Sequence, residues 1–248
     1  NINKKVLGMI FIGDTHGNHA HIRWVIKQKN IMNQQLIHVG DFGVGFTNNE
    51  NEIKILTFFN DFLKERNIIL HVFRGNHDDP QYFKGGYLYS NLKLHPDYTV
   101  LDIEDKRILG IGGAISIDRV PRRLEDNIVW WADEIFVLNR EFLNEVRNID
   151  ILVTHTTPKY IPPINIPGNW PYIVKQFSSD DPTLYDDLLH ERELLAEAFD
   201  ILKTNNNITH HFYGHFHQNI VTPMDGCIHT CLNISEFFEF RDYSSDAE

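Results

Sequence analysis

Leu36-Ile37-His38-Val39-Gly40-Asp41-Phe42-Gly43 is the stretch of sequence that decides the expected fold of this chain. A mostly apolar run that stops at a Gly-Asp pair predicts a buried strand whose carboxyl end delivers one carboxylate, that of Asp41, into a loop. Taken alone, the same pair is typical of an ordinary turn. Four other apolar runs also end in clusters of Asp, Asn and His, so the question is whether all five ends meet at one place.

The first third of the chain alternates between predicted strands and predicted helices. Residues 6–12, 36–39 and 68–73 are predicted to be buried strands, and residues 20–30 and 52–66 carry apolar side chains at helical spacing. This alternation implies right-handed crossovers and a parallel sheet that is covered on both faces.

The ends of these three strands carry five polar side chains of types that can bind ligands or take part in catalysis. They are Asp14, His16, Asp41, Asn76 and His77. Ligands of parallel sheets gather beyond the carboxyl ends of the strands, so we expect these side chains to share one site.

The rest of the chain predicts a second sheet. Short β segments at 98–101 and 107–111, separated by Gly and Asp turns, indicate antiparallel strands. A later strand ends at His155, and further β segments flank the pair His215 and His217.

Between these β segments, residues 159–182 are rich in Pro, Asn, Ser and Asp, which predicts a long loop over the active-site face. A helix to about residue 203 follows. The sequence contains no repeat or linker, so residues 1–241 are predicted to form a single α/β domain, with 242–248 as a disordered tail.

Composition is that of a soluble globular protein, with 248 residues, 42% hydrophobic and 23% charged. A formal net charge of -11 disfavours long nucleic acid as a partner, and small or peptide-borne phosphoester substrates fit better. No stretch is long and apolar enough to span a membrane, so no membrane partner is expected. Cys227 and Cys231 are interpreted as reduced core thiols, which predicts a cytoplasmic protein.

The candidate donor atoms come from carboxylate, imidazole and amide groups, without a thiolate. This set suits Mn, Fe, Zn, Ni or Co better than it suits a thiolate zinc site. Alternation along Asp14-Thr15-His16 would send the two donor side chains the same way, and His215-Phe216-His217 repeats the pattern. Two metal ions held close together need a bridging ligand, for which a carboxylate is suited, and such a pair can clamp both oxygens of an in-line displacement.

The motifs Asp-x-His, Gly-Asp, Gly-Asn-His-Asp, a lone His after a strand, and Gly-His-x-His occur in this order between Asp14 and His217. In this the chain closely resembles the calcineurin-like metallophosphoesterase superfamily, in particular its bacterial and phage members. The resemblance implies a four-layer α/β/β/α sandwich, in which a mixed central β-sandwich is flanked by helices, and a site for two divalent transition-metal ions, Mn foremost.

The resemblance also implies roles for individual residues. His77 would protonate the leaving group or stabilise the phosphoryl oxygens, Asp78 would orient His77, and a metal-bridging hydroxide would attack phosphorus without a phosphoenzyme. One metal would take Asp14, His16, Asp41 and His217, and the other would take Asp41, Asn76, His155 and His215.

The chain departs from the pattern of phosphoserine phosphatases and dinucleoside tetraphosphate hydrolases in that superfamily. Their Gly-Asp-x-x-Asp-Arg-Gly motif holds a phosphate-binding Arg, whereas residues 40–45 here read Gly-Asp-Phe-Gly-Val-Gly. Arg119, Arg122 or Arg123 is a candidate replacement, because a guanidinium matches phosphate geometry. A solvated ion-pair surface with neighbouring acidic residues is the alternative explanation of this cluster.

These observations predict a metal-dependent phosphoric ester hydrolase, a phosphatase or phosphodiesterase of loose specificity that acts on a small phosphoester, nucleotide or phosphopeptide. A cyclic nucleotide or RNA-end phosphodiesterase is the first alternative. A non-catalytic interaction module with the same fold is an alternative of another class. The native substrate, the native metal and the oligomeric state stay open at this point.

Overall fold

A computed structural model describes residues 8–124, 130–162 and 169–241 of the chain. Its strands, in chain order, are β1 (Met9–Ile12), β2 (Gln35–His38), β3 (Ile69–Val72), β4 (Leu92–Leu94), β5 (Thr99–Ile103), β6 (Lys106–Ile111), β7 (Ile151–Thr154), β8 (His210–Tyr213), β9 (Ile220–Met224), β10 (Cys227–Cys231) and β11 (Phe237–Phe240). Its helices are α1 (His19–Gln28), α2 (Asn49–Glu65), α3 (Arg119–Leu124), α4 (Arg140–Glu145), α5 (Asn169–Phe177) and α6 (Leu184–Asn205), with a 3-10 helix at Pro80–Phe83.

The strands form two mixed sheets. The first has the order β11-β1-β2-β3-β4, in which β1 to β4 are parallel and β11 is antiparallel to β1. The second has the order β5-β6-β7-β8-β10-β9, with parallel pairing from β6 to β10 and antiparallel strands at both edges. In both sheets the parallel strands lie next to one another, so their carboxyl ends share an edge.

Four layers result from how the apolar faces pack. The two sheets face each other across a core in which Phe11 of β1 stacks on Phe212 of β8, with ring centroids 3.7 Å apart. The outer face of the first sheet is covered by α1 and α2, and that of the second by α4 and α6. The predicted α/β/β/α sandwich is therefore confirmed, because each sheet buries one face against its partner and one against helices.

Three of the helices have an asparagine N-cap. The side chains of Asn18, Asn48 and Asn139 precede α1, α2 and α4, and each accepts a hydrogen bond from the backbone N–H three residues further on. Such a cap satisfies an amide that has no partner within the helix, so it fixes the residue at which each helix begins.

Several sequence-based expectations are corrected here. The predicted loop at 159–182 contains α5, whose Val174 and Phe177 pack with Leu184 and Leu188 of α6. Apolar contacts therefore override a composition rich in Pro and Asn. The antiparallel pairing predicted for 98–101 and 107–111 is confirmed by β5 and β6, but most of the second sheet is parallel. The short strands β4 and β11 were not predicted.

Some predictions fall outside the described residues, namely the disordered tail at 242–248 and the segment 163–168 of the predicted loop. The single domain at 1–241 stays a prediction. Cys227 and Cys231 are both buried and free of a disulfide. Within the described part of the chain, none of the helices has the length and apolar character needed to cross a membrane.

Candidate functional site

The carboxyl ends of five strands bring the candidate side chains together at one edge of the sandwich. The loops after β1, β2 and β3 come from the first sheet, and those after β7 and β8 come from the second. They carry Asp14 and His16, Asp41, Asn76 and His77, His155, and finally His215 and His217.

Asp41 lies at the centre of these loops. Its carbonyl oxygen accepts hydrogen bonds from the backbone amides of Thr15 and His16, at 2.9 and 2.8 Å. Its Oδ1 accepts the backbone amide of His77 at 2.7 Å and lies 3.1 Å from His155 Nε2. Its Oδ2 points the other way and lies 3.8 Å from His16 Nδ1. The two carboxylate oxygens therefore face two different groups of donors.

The first donor set consists of Asp14, His16, Asp41 and His217, each with a ligand atom within 4.8 Å of the others. His217 Nε2 lies 3.2 Å from Asp14 Oδ2 and 3.1 Å from His16 Nε2. This arrangement gathers two carboxylates and two imidazoles around one point, which is a nitrogen and oxygen set for a transition-metal ion.

The second donor set consists of Asp41, Asn76, His155 and His215. Asn76 Oδ1 lies 2.9 Å from His215 Nδ1 and 3.1 Å from His155 Nε2. His155 Nδ1 lies 3.1 Å from the carbonyl oxygen of Val39, which can only accept, so Nδ1 carries the proton. His155 Nε2 is thereby the ring nitrogen that faces the site, and it would bind a metal ion after losing its proton, as occurs in histidines whose other nitrogen is hydrogen-bonded.

Four of these residues have a left-handed backbone, at φ values of 47° for His16, 56° for Asp41, 66° for His215 and 53° for His217. Residues with a Cβ rarely adopt this conformation, and clusters of such residues are found at functional sites. The predicted alternation along Asp-x-His and His-x-His is therefore wrong. The paired side chains converge because the backbone turns within loops, beyond the ends of β1 and β8.

Two glycines allow the close approach of backbone to carboxylate. A Cβ atom on Gly75 would lie 2.0 Å from Asp41 Oδ1, and one on Gly214 would lie 2.0 Å from Asp14 Oδ1. Any larger residue would displace these carboxylates, which is the physical reason for glycine in the Gly-Asn-His and Gly-His-x-His motifs.

The two buried carboxylates of the site favour the binding of a cation. Asp14 and Asp41 are both buried, and Asp14 Oδ1 has no hydrogen-bond partner among the residues that the structure describes. Burial favours the neutral form of Asp41, but His155 and His77 outweigh it and hold the pKa of Asp41 well below its usual range. Burial likewise opposes the charge on His155, but Asp41 and Asp14 raise its pKa to about 9. Buried carboxylates in this number require compensating positive charge, so the residues fit a divalent metal ion.

Asp78 contacts backbone amides. Its two oxygens accept hydrogen bonds from the N–H groups of Phe42, Gly43, Val44 and Gly75, at 2.6 to 3.2 Å. Burial and then Asp41 raise the pKa of Asp78 to about 6, and the bonds from Gly75 and the other amides oppose that rise. This geometry favours a role in tying the loop after β2 to the loop after β3 over the predicted role beside His77.

A cavity of about 500 Å³ opens over the two donor sets. His77 lines it, as do Ile117, Arg122 and two residues of α5, Ile173 and Phe177. The segment predicted to cover the active-site face therefore does contribute to the cavity, but as a helix.

The three candidate arginines lie in α3 and differ in their contacts. Arg122 lines the cavity, and its Nε lies 2.7 Å from Asp118 Oδ2. Arg119 forms ion pairs with Asp181, which lies between α5 and α6, and with Asp187 of α6. The guanidinium of Arg123 lies 4.1 Å from the ring centroid of Trp130. Only Arg122 of the three lies among the described residues that line the cavity.

Two residues that sequence reasoning did not select lie directly behind the site. Ser116 accepts a hydrogen bond from Asn76 Nδ2 at 2.9 Å, and the Glu134 carboxylate contacts Ser116. No motif signals this contact, because it joins segments that are distant in the sequence.

The sequence matches the family model described as calcineurin-like phosphoesterase over residues 9–219. The chain belongs to this family. Membership confirms the predicted family and the predicted class of enzyme, a phosphoester hydrolase that depends on metal ions. Among curated protein sequences, none matches this phosphoesterase.

Three solved structures resemble the phosphoesterase at low identity. A Staphylococcus aureus protein assigned as a 5′-nucleotidase is 13% identical with a TM-score of 0.42, over 96% of this chain and 55% of its own. The present chain thus spans about half the length of that protein. The phosphopantetheinyl hydrolase of Mycobacterium tuberculosis is 14% identical with a TM-score of 0.43, over 92% of this chain and 91% of its own. GAP50, the anchor in the inner membrane complex of Plasmodium, is 12% identical with a TM-score of 0.39, over 92% and 72%. At these values none of the three bears on the substrate.

Replacing Asp78 tests its contacts with the backbone. Asn offers one acceptor oxygen, and its NH2 group would face amide donors, so Asp78→Asn should lower the free energy of unfolding by about 2 kcal/mol. The neighbouring Asp79 caps the 3-10 helix through the amide of Gln81. Asp79→Asn keeps that cap and should change stability by less than about 0.5 kcal/mol. Urea denaturation of both metal-loaded variants near pH 8 measures this, and equal midpoints would contradict the assignment.

Proposed function

We propose that this phosphoesterase hydrolyses small phosphoric esters at a site for two divalent metal ions, with loose specificity between monoesters and activated diesters. One observation carries the proposal. The Oδ2 of Asp41 faces His16 of the first donor set, while its Oδ1 faces His155 of the second. A carboxylate in this position is suited to bridge two cations.

In this proposal the first ion is held by Asp14, His16, Asp41 and His217, and the second by Asp41, Asn76, His155 and His215. Mn is the expected metal, with Fe, Zn, Ni and Co as alternatives of similar ligand preference. When bound, the ions supply Lewis acidity for the phosphoryl oxygens and make hydroxide available near neutral pH.

The residues of the chain account for the other parts of the reaction. His77 lies in the cavity next to His16, with ring centroids 5.1 Å apart, where it can donate a proton to the leaving oxygen of an ester. Arg122 lies in the same cavity and would bind a phosphate oxygen, in place of the arginine that residues 40–45 lack.

The cavity favours small substrates. Its volume of about 500 Å³ is in the range of pockets that hold a nucleotide-sized molecule. Three phenylalanines, Phe46, Phe177 and Phe216, line it beside the polar groups. This apolar wall suits a nucleobase, which supports a cyclic nucleotide or RNA-end phosphodiesterase as the second candidate. The convergence of the complete donor set disfavours the third, a non-catalytic interaction module.

A substrate panel tests the proposed reaction. Metal-free protein reconstituted with Mn should hydrolyse an aryl phosphomonoester, an aryl phosphodiester, and 2′,3′- or 3′,5′-cyclic nucleotides, each followed by product release. Comparable turnover of monoester and diester supports loose specificity, whereas turnover of cyclic nucleotides alone would favour the second candidate. An absence of turnover with every ester and metal would overturn the proposal in favour of the interaction module.

His77 and Asp41 should separate catalysis from metal binding. We expect His77→Ala to retain the metal content of the wild type and to lose about 10²- to 10⁴-fold in kcat, the range for a general acid. Asp41→Asn should lose both metal and activity. Chelation should lower the Tm of the wild type, since a ligand at 100 times its Kd stabilises by about 2.7 kcal/mol, and should leave Asp41→Asn nearly unchanged. Elemental analysis and thermal melts measure these effects; a metal-free His77→Ala would show that His77 is misassigned.

Arg122 should contribute to substrate binding. Charged hydrogen bonds to an anion contribute about 1.5 to 3 kcal/mol, so Arg122→Ala should lower kcat/KM for a phosphomonoester roughly 10- to 100-fold. Arg123→Ala is the matched control from the same helix, because Arg123 contacts Trp130 rather than the cavity, and should keep kcat/KM within a factor of about two. A larger loss in Arg123→Ala than in Arg122→Ala would refute this assignment.

A further inference from the structure

A chain of buried hydrogen bonds runs from the second donor set into the protein. Asn76 Nδ2 donates to Ser116 Oγ at 2.9 Å, and Ser116 Oγ lies 2.9 Å from Glu134 Oε2. The other carboxylate oxygen, Glu134 Oε1, accepts the backbone amide of Ser116 at 2.8 Å. All three side chains are at least 98% buried, so water does not compete for these bonds.

The direction of these hydrogen bonds follows from the chemistry of the Glu134 carboxylate at the end of the chain of bonds. An ionised Glu134 carboxylate can only accept, so the hydroxyl proton of Ser116 is committed to it. The Ser116 oxygen is then left as an acceptor, and it selects the NH2 end of the Asn76 side chain. Burial raises the pKa of Glu134 to about 8, so the ionised form that fixes this direction prevails above that pH. The two Ser116 donors favour the ionised form, and cations bound at the nearby site would extend it to lower pH.

This direction of hydrogen bonding determines whether the oxygen or the NH2 group of the Asn76 side chain faces the site. With its NH2 group held by Ser116, Asn76 directs Oδ1 toward His155 Nε2 and His215 Nδ1. The opposite orientation would place two N–H groups where a metal ion requires a lone pair. An amide side chain can present either end, so its orientation needs a partner of fixed direction.

We propose that Ser116 and Glu134 are positioning residues for Asn76, which lock its carboxamide oxygen toward the second metal ion. The proposal rests on the dinuclear site proposed above.

Hydrogen bonds to the backbone of Glu134 and Ile135 also hold Glu134 next to the loop that carries Asn76. Arg74, two residues before Asn76, donates from Nη1 to the carbonyl oxygen of Glu134 at 2.8 Å and from Nη2 to that of Ile135 at 3.0 Å. The backbone amide of Ala114 also donates to the Glu134 carbonyl. One segment therefore holds both the loop that carries Asn76 and the side chain that orients it.

Two variants test the relay through metal binding. Ser116→Ala removes the acceptor for Asn76, and Glu134→Gln introduces an NH2 group that can donate to Ser116 and so reverse the direction of the relay. Each should weaken binding of one of the two Mn ions roughly 10- to 100-fold, the usual effect of losing a hydrogen-bonded partner of a metal ligand. The other ion, held by Asp14, His16, Asp41 and His217, should bind as in the wild type.

The readouts do not depend on turnover. In Ser116→Ala and Glu134→Gln, the number of Mn ions bound per chain at limiting metal, measured by Mn titration with elemental analysis, should fall from two toward one. The electron paramagnetic resonance spectrum should change from that of a coupled Mn pair to the hyperfine-split signal of an isolated Mn ion.

Glu191→Gln is the matched control. Glu191 is another buried carboxylate, and its oxygens accept the backbone amides of Ile115 and Phe136, next to the same two segments. It contacts none of the candidate metal ligands through these bonds, so its replacement should lower stability while both Mn ions bind normally.

The outcomes separate the two proposals. A wild type that binds one Mn ion would overturn the dinuclear site itself. A wild type with two ions, together with Ser116→Ala and Glu134→Gln variants that also bind two with unchanged affinity, would overturn the relay alone. Equal losses of metal in Glu191→Gln would also overturn it, because they would show a general effect of disturbing this region.

Discussion

The site depends on one buried residue, Asp41, whose backbone and side chain are used at the same time. Its carbonyl oxygen holds the loop after β1 through the amides of Thr15 and His16, and its carboxylate holds the loop after β3 through the amide of His77. The same carboxylate contacts His155 from the second sheet. A buried carboxylate is costly unless it is fully paired, so these contacts leave the loops little freedom to move apart.

Other buried charges fix the remaining loops in a similar way. Asp78 accepts four backbone amides from the loops after β2 and β3, and Arg192 donates to the carbonyl oxygens of Thr157, Pro158 and Ile161 in the segment after His155. Each is a charged group bonded to main-chain atoms, which resists displacement more than an apolar contact does. The geometry of the donor sets is thus built into the scaffold and does not depend on a metal ion alone for its position.

Sequence reasoning located the site because parallel strands end at a common edge, which places Asp14, Asp41 and Asn76 together without further information. It failed where the decisive feature was not periodic. The left-handed backbone at His16 is a property of a loop, and α5 forms in a Pro-rich and Asn-rich segment because tertiary contacts favour it. Ser116 and Glu134 meet Asn76 through contacts between distant segments, for which a single sequence carries no signal.

The candidate site is built from two parts of the fold. The donor side chains come from strand ends, where four of them adopt a backbone conformation that only a rigid framework sustains. The opposite wall of the cavity comes from helices and the segments before them, including Ile117, Arg122 and Phe177. Arg119 and Arg123 of the same short helix contact Asp181 and Trp130, whereas Arg122, which is paired with Asp118, lines the cavity. Under the proposed role of Arg122, the phosphate-binding arginine that is absent beside Asp41 is supplied from the covering layer instead. Such a layer can vary with the substrate while the strand ends keep the same donor side chains.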